Sequence, residues 1–496
     1  MNEQKPVALK RELGLFDSTM IVVGSMIGSG IFLVSADIAR SLGSPAWLIL
    51  TWVITGLITL MAALSYGELA GMMPKAGGQY VYLREAYSPL IGFLYGWSLF
   101  LVIQTGTIAA VAAAFAIYCG VLFPWFSTHH IILVLGPIQI STAQLLAVAS
   151  IILLTSMNSR GLKTGKFVQL VFTVTKIIAL AGLILAGIFI GKNVQALSAN
   201  FHVFWQQPFS MLQVGDSWVK NLLHGPSVWL VFGGAMVGSL FSSDAWNNIT
   251  FTAGEVKDPQ RNIPLSLLLG TLTVTIIYVL ANVAYLLVLP MYGHPDAHDV
   301  LGRGIMFASD KRVATATAEV IFGQRAVLVM AVLIMISTFG CNNGLIMAGA
   351  RVYYAMACDR LFFKSASRLN AQSVPSFALI IQCVWACFLC LSGSYSALLD
   401  FVIFAVLIFY VLTVAGIIVL RYKQPDTIRP YKAWGYPFIP VLYIVLASAI
   451  AADLLIVKWE TSRWGALIVL LGIPVYYIAR NTLSIQDKTT VNGPFS

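Results

Sequence analysis

Two of this chain's long apolar stretches contain a segment that cannot stay helical, at depths where a membrane-spanning helix would otherwise run unbroken. The first is Gly24-Ser-Met-Ile-Gly28-Ser-Gly30-Ile-Phe32 and the second is Phe241-Ser-Ser-Asp-Ala-Trp-Asn247. Non-helical backbone inside a bilayer is tolerated only where protein or a water-lined cavity satisfies its N–H and C=O groups. Each interruption therefore marks an internal binding site, and two of them in matching halves point to a transporter.

The surrounding chain supports a membrane setting. Hydrophobic residues make up 58% and charged residues only 10%, and many apolar runs reach the roughly 20 residues that cross a hydrocarbon core of about 30 Å. The pattern predicts an all-α, polytopic fold of about twelve spans, near 14–37, 46–73, 89–120, 142–158, 166–191, 227–254, 263–290, 325–357, 375–392, 397–421, 436–457 and 463–480. Pro89 and Pro264 are expected in first helical turns, and Pro124, Pro259 and Pro425 in connections. A formal charge of +10 would suggest nucleic acid in a soluble chain. Here most Lys and Arg fall in alternate loops, among them Lys5, Lys10, Arg11, Lys75, Arg84, Lys163, Lys166, Arg351, Arg421, Arg480 and Lys488. That is membrane topology with both termini cytoplasmic, and no nucleic-acid partner is implied. The polar start Met-Asn-Glu-Gln-Lys-Pro leads directly into the first span, so no cleavable signal peptide is read. The six cysteines lie within or at the ends of apolar segments, which argues against a disulfide framework. Cys383, Cys387 and Cys390 share a helical face, but without His or carboxylate beside them packing is favoured over metal ligation.

Spans one to five and six to ten make two halves, each opening on an interrupted span, and an odd number of spans per half inverts the second. The expected division is a cytoplasmic tail over 1–13, a first five-helix repeat over 14–191, an external connection over 192–226, a second inverted repeat over 227–421, spans eleven and twelve over 422–480, and a cytoplasmic tail over 481–496. The segments 192–226 and 291–324 read as short external helices or caps.

In the first break, Gly28 and Gly30 release the backbone while Ser29 offers a hydroxyl and nearby N–H groups are freed for an anion such as a carboxylate. Gly24-x-x-x-Gly28 also fits close packing of two helices. In the second break, Ser242, Ser243, Asp244, Asn247 and Asn248 separate two half-helices; freed carbonyls there suit an ammonium group, with Phe241 as a lid. Asp244 reads either as an intramembrane carboxylate for an amine or proton, or as an N-cap of the second half-helix. Lys176 lies about 15 Å into span five by helical rise, as a fixed cation in place of a bound ion or as a lysine reaching water through a cavity. Glu68 suits pairing with a basic loop residue. Gln104, Thr105, Thr107, Ser337, Thr338, Asn342 and Asn343 suit interhelical hydrogen bonds. No metal-ligand cluster, nucleophile–base arrangement or phosphate loop is visible, so neither a cofactor nor an enzyme is read here. No ring of like residues marks a channel.

Together with Ser65-Tyr-Gly-Glu-Leu69, Met73-Pro-Lys-Ala-Gly-Gly-Gln-Tyr80 and Glu255-Val-Lys-Asp-Pro-Gln-Arg-Asn-Ile-Pro264, the two breaks resemble amino acid permeases of the amino acid, polyamine and organocation superfamily, above all the L-type amino acid transporter branch. The likeness runs from about residue 12 to residue 425. It implies a LeuT-type fold of 5+5 inverted repeats with spans one and six unwound, two further C-terminal helices, and alternating-access transport of an amino acid in a bacterial-type inner (plasma) membrane. The substrate-binding set it implies is Met26, Ile27, Gly28, Ser29, Gly30, Phe241, Ser242, Ser243, Asp244 and Asn247, with Lys176 as the substitute for a sodium ion. Three departures stand out. The loop near 121–141 lacks the external Cys through which animal members join a heavy chain, so no disulfide-linked heavy chain is expected. Asp244 stands where members taking large neutral substrates often have glycine, and Leu345 where many have a hydroxyl near Lys176. A sodium-independent transporter, by exchange or proton coupling, is the expected function; a polyamine or amine permease and an amino acid-binding membrane sensor are the alternatives.

Overall fold

The computed structural model of the chain describes residues 11–135, 138–215, 217–392 and 395–491. Lys5 and Lys10 lie outside them, as do residues 492–496 of the expected C-terminal tail and the side chains of Lys163, Lys166, Arg480 and Lys488. The chain forms a helical bundle. Its first half comprises α1 (Leu15–Met26), α2 (Gly30–Leu42), α3 (Pro45–Met72), α4 (Gln79–Ala86), α5 (Pro89–Leu122), α6 (Thr142–Ser159) and α7 (Leu162–Phe189). Then follow α8 (Pro226–Ser242), α9 (Asn248–Phe251), α10 (Pro259–Val288), α11 (Val313–Phe322), α12 (Arg325–Cys358), α13 (Ser376–Ser392), α14 (Tyr395–Lys423), α15 (Phe438–Val457) and α16 (Trp459–Val491).

Pro45, Pro89, Pro226 and Pro259 occupy the first helical position, where the missing N–H would have no partner anyway. Pro259 was expected in a connection and Pro264 in a first turn. Instead Asp258 takes a positive φ of 43°, the helix starts at Pro259, and Pro264 lies inside it. Nine helices among the described residues are long and apolar enough to cross a bilayer, and the bent pair α1–α2 makes a tenth. Leu269, Leu272, Ile276 and Leu280 fall on one face of α10 and are all exposed. So large an apolar stripe belongs against lipid.

Outside the bundle the connection over 192–226 meets the expectation of a short external helix only in part. It holds the helix Val194–Phe201 and an antiparallel hairpin, Phe209–Val214 with Ser217–Leu222. Gly215, at φ 62°, turns the hairpin, and short β-prone runs flank it. A second hairpin pairs Ile131–Leu135 with Ile138–Ser141.

The broken helices position the site. α2 packs on α8 and α1 on α9, so the piece before one gap meets the piece after the other. Two antiparallel rods crossing at their gaps must pack in this way. The remaining flanks of α1 are covered by α7, α10 and α12. At the face that carries residue 14, Glu68 of α3 accepts from Arg421 Nε and Nη2 at 2.9 and 2.7 Å and from the Ala433 amide at 2.7 Å. This fulfils the pairing expected of Glu68 and straps the segment after α14 to α3.

Candidate functional site

Between α1 and α2 the helix is interrupted over Ile27, Gly28 and Ser29, with Ile27 outside helical geometry at ψ 87°, and the axis bends by 41°. The carbonyls this exposes are nearly all taken up by side chains. Lys176, 1% exposed, reaches Gly24 O and Ile27 O at 2.7 Å each and Ser337 O at 3.2 Å. Cys341 Sγ donates to Ser25 O at 3.0 Å. The lysine therefore points into the break, not toward water through a cavity. Leu345, expected near it, lines a cavity beside Asp244 instead; Ser337 and Cys341 are the residues of α12 that meet the lysine's break.

Each glycine of this segment faces a different neighbour. A Cβ on Gly24 would collide with Gln169 and Thr173 of α7, and one on Gly28 would press on Cys341 Sγ at 3.1 Å. The close-packing reading is thus correct for Gly24. At Gly30 a Cβ would fall on Ser242 Oγ, so the two breaks touch here and only a residue without a side chain fits.

The second break runs from Ser243 to Asn247, with Ala245 at a φ of 64°. α9 is a single turn whose N-cap is Asn247, and no side chain caps it. Asp244 is therefore not the cap. Its Oδ1 accepts from Tyr410 at 2.6 Å, and Tyr410 belongs to a ring cluster with Tyr66 and Trp246. Asn247 donates to Gln79 Oε1 at 2.9 Å, and Gln79 in turn to Thr413 at 3.0 Å. Phe241 is buried, at 7% exposure.

The sequence reading overlooked the residue that joins the breaks. Tyr278 of α10 directs its hydroxyl at Met26 O, 2.9 Å away, and at Ser242 O, 3.0 Å away, so one proton is shared between the ends of α1 and α8. Two cavities flank Asp244. One is lined by Gln79, Gln104, Thr107, Asp244, Asn247, Asn248 and Tyr410, among others, and the other by Thr59, Ser243, Trp246 and Tyr443 with apolar neighbours. Met26, Ile27, Gly28, Ser29, Gly30, Phe241 and Ser242 line neither. The first has room for about one water. In its wall Asn248 Nδ2 is buried without a partner among the described residues, a donor that water or a ligand would satisfy.

Locks close both ends. Near residue 14, Arg351 pairs with Glu255 at 3.0 Å, both side chains nearly inaccessible. There the amides of Glu12 and Leu13 donate to Glu255 O at 2.9 and 3.0 Å. At the opposite end Asp37 of α2 pairs with Arg40 and, at 3.0 Å, with Lys311, while Arg40 donates to Met306 O at 2.5 Å.

An all-α polytopic bundle with two antiparallel broken spans shut against each other has the architecture of a membrane carrier. The comparisons make the class specific. A profile described as amino acid permease matches residues 13–474, and the chain belongs to that family. It is 31% identical over 480 residues to the large neutral amino acids transporter small subunit 2 of Homo sapiens, covering 95% of this chain and 81% of that one. It is 28% identical over 473 residues to the serine/threonine exchanger SteT of Bacillus subtilis (strain 168), covering 95% and 97%. Identity to the human b(0,+)-type amino acid transporter 1 is 28% over 488 residues, covering 96% and 89%.

Proposed function

We propose that this permease carries amino acids without sodium, by exchange or proton coupling, through alternating access. The substrate's carboxylate lies against Ser29, Gly30 and the neighbouring amides. Its amino group meets carbonyls around Met26, Phe241 and Asp244, with Ile27, Gly28, Ser242, Ser243 and Asn247 completing the site. Lys176 takes the place of a sodium ion, a role supported by its three carbonyl acceptors. The observation that carries the reading is the contact of two main-chain gaps at Gly30 and Ser242. Backbone dipoles converge there, and a zwitterion separating the gaps would replace the bonds that Tyr278 now makes to both of them.

The proposed topology has twelve spans, counting α8 with α9 and the short α13, as five, an inverted five and two more. Both termini are cytoplasmic in a bacterial-type plasma membrane, and no disulfide-linked heavy chain takes part. The test is uptake of labelled amino acids by liposomes containing the purified protein, loaded either with an amino acid mixture or with a proton gradient, in the absence of sodium. Absence of uptake under all of these conditions, and with sodium added, would reject transport. Tight binding without flux would mark a sensor instead.

A second reading rests on Asp244, whose carboxylate lines both cavities. It favours a basic amino acid or amine as substrate. Inhibition by amines that lack a carboxylate, lost in Asp244→Asn, supports this reading; a substrate profile unchanged in Asp244→Asn removes it.

A further inference from the structure

Away from the broken spans, an open cleft of about 120 Å³ lies between α11, the preceding loop and the start of α12. α11 buries Val313, Ala314, Thr317 and Ala318 in the bundle. Its opposite stripe, Arg312, Thr315, Ala316 and Glu319, repeats at i, i+3, i+4 and i+7 and lines the cleft, which Arg303 and Ser309 close from the loop. A helix face turned to a cavity with charges of both signs is unlike the apolar faces elsewhere on this bundle.

The polar groups of that stripe are not used up within the protein. Thr315 is 5% exposed, yet its hydroxyl has no partner among the described residues, and a buried hydroxyl at a cavity wall calls for a ligand or water. Glu319 makes no ion pair among the described residues. Arg303 donates through Nε to Ala297 O at 2.7 Å and through Nη1 to Ser309 Oγ. Arg312 donates through Nε to Ser309 O at 3.3 Å and through Nη2 to Asp310 at 2.7 Å. Each guanidinium has five N–H donors, so each keeps some for an anion.

We propose that this cleft binds a second amino acid zwitterion. Its carboxylate rests on Arg303 and Arg312 and takes the Thr315 hydroxyl, and its ammonium meets Glu319. The site also has a route to the transport cycle. Lys311, between Ser309 and Arg312, pairs with Asp37 of α2, and Met306 O holds Arg40 of α2. An occupant that stiffens the loop therefore strengthens the hold on α2, the helix that follows the first break. Occupancy from this face slows opening and makes uptake fall at high amino acid concentration.

The site is independent of the substrate role given to the breaks, and the experiment keeps the two apart. Binding of tritiated L-serine, L-leucine and L-arginine to the detergent-purified, delipidated protein is counted to saturation. The expected result is two molecules of one of these per chain. Glu319→Gln and Arg312→Gln should each leave one, with uptake at low concentration unchanged and inhibition at high concentration lost. Thr315→Val should weaken the second site about fivefold, the worth of one hydroxyl bond. Unchanged low-concentration uptake shows that each variant is folded. A single bound molecule in the unaltered protein overturns the proposal, as does a second molecule that persists in Glu319→Gln and Arg312→Gln together. Displacement of the second molecule by sodium sulfate as effectively as by amino acid would assign a simple anion site and also overturn it. Loss of the first molecule alone counts against the breaks and not against the cleft.

Discussion

Tyr278→Phe tests whether one hydroxyl holds the two gaps together. The ring stays in place, since it is almost fully buried and packs edge-on against Trp52 with centroids 5.3 Å apart. Only the O–H is lost, along with its contacts of 2.9 Å to Met26 O and 3.0 Å to Ser242 O. Met26 O keeps the Gly28 amide at 2.8 Å, so the cost falls mainly on Ser242 O. Stripping a buried carbonyl of its donor costs about 1–3 kcal/mol. Expressed as an equilibrium, the shut arrangement becomes about 5–150-fold less populated relative to the parted one. A substrate that parts the gaps gains apparent affinity by up to the same factor, because less of its binding free energy goes into opening the shut arrangement. The assay is equilibrium binding of a labelled amino acid to purified protein, alongside sodium-free uptake in liposomes. Affinity and uptake both within twofold of the unaltered protein would refute the reasoning, since the hydroxyl would then be coupling nothing.

Gly30→Ala should reduce uptake about 5–150-fold, the range expected from about 1–3 kcal/mol of overpacking, because its Cβ falls on Ser242 Oγ and comes within 2.6 Å of Ser242 Cβ. Gly30→Ala with Ser242→Gly removes both obstacles and should recover part of the loss; no recovery would place the cause elsewhere. Arg351→Met leaves Glu255 as a buried lone charge and should destabilise the protein by about 3–5 kcal/mol, whereas Arg351→Met with Glu255→Met should regain most of it. Equal melting temperatures for the single and double variants would show that the pair is not the lock. Asp453 of α15 lies with both carboxylate oxygens buried against Gly233 and without a hydrogen-bond partner among the described residues, so Asp453→Asn should raise the melting temperature at neutral pH. A fall would reveal that the charge is compensated.

The sequence reveals the breaks because glycine, serine and proline act locally. Gly28 and Gly30, close together around Ser29, make a local weak point in a helix, and Pro45, Pro89 and Pro226 start helices by equally local chemistry. Lys176 is legible as a charge too deep to be idle, but its acceptors on Gly24, Ile27 and Ser337 come from two other helices and leave no trace in nearby residues. Tyr278 and Tyr410 are missed for the same reason. Each sits in an apolar run of its own helix, where an aromatic residue reads as packing, and each acquires its role from a partner far away in the chain. The Asp244 reading failed on its capping side because α9 is one turn long, too short for the cap that a regular half-helix would need. The Phe209–Leu222 hairpin leaves only two six-residue runs in the sequence, too short to carry a clear period.

The two locks differ in a way that sets the direction of the first opening step. Arg351 and Glu255 pair out of contact with solvent, whereas Asp37 is about half exposed and its partners Arg40 and Lys311 are partly so. Exposed pairs contribute about 0–1 kcal/mol and are screened by salt, while a buried pair is screened far less. The contacts of α2 with the 306–311 segment are therefore the weaker restraint. Raising ionic strength should weaken them selectively, letting α2 swing from α11 while α1 stays tied to Glu255 through the Glu12 and Leu13 amides. Single cysteines placed at Ala308, buried in the same segment, and at Leu13 should then diverge in their labelling. Membrane-impermeant maleimide should modify the first faster in high salt and the second at an unchanged rate, whereas equal acceleration at both would mean that the ends do not open independently.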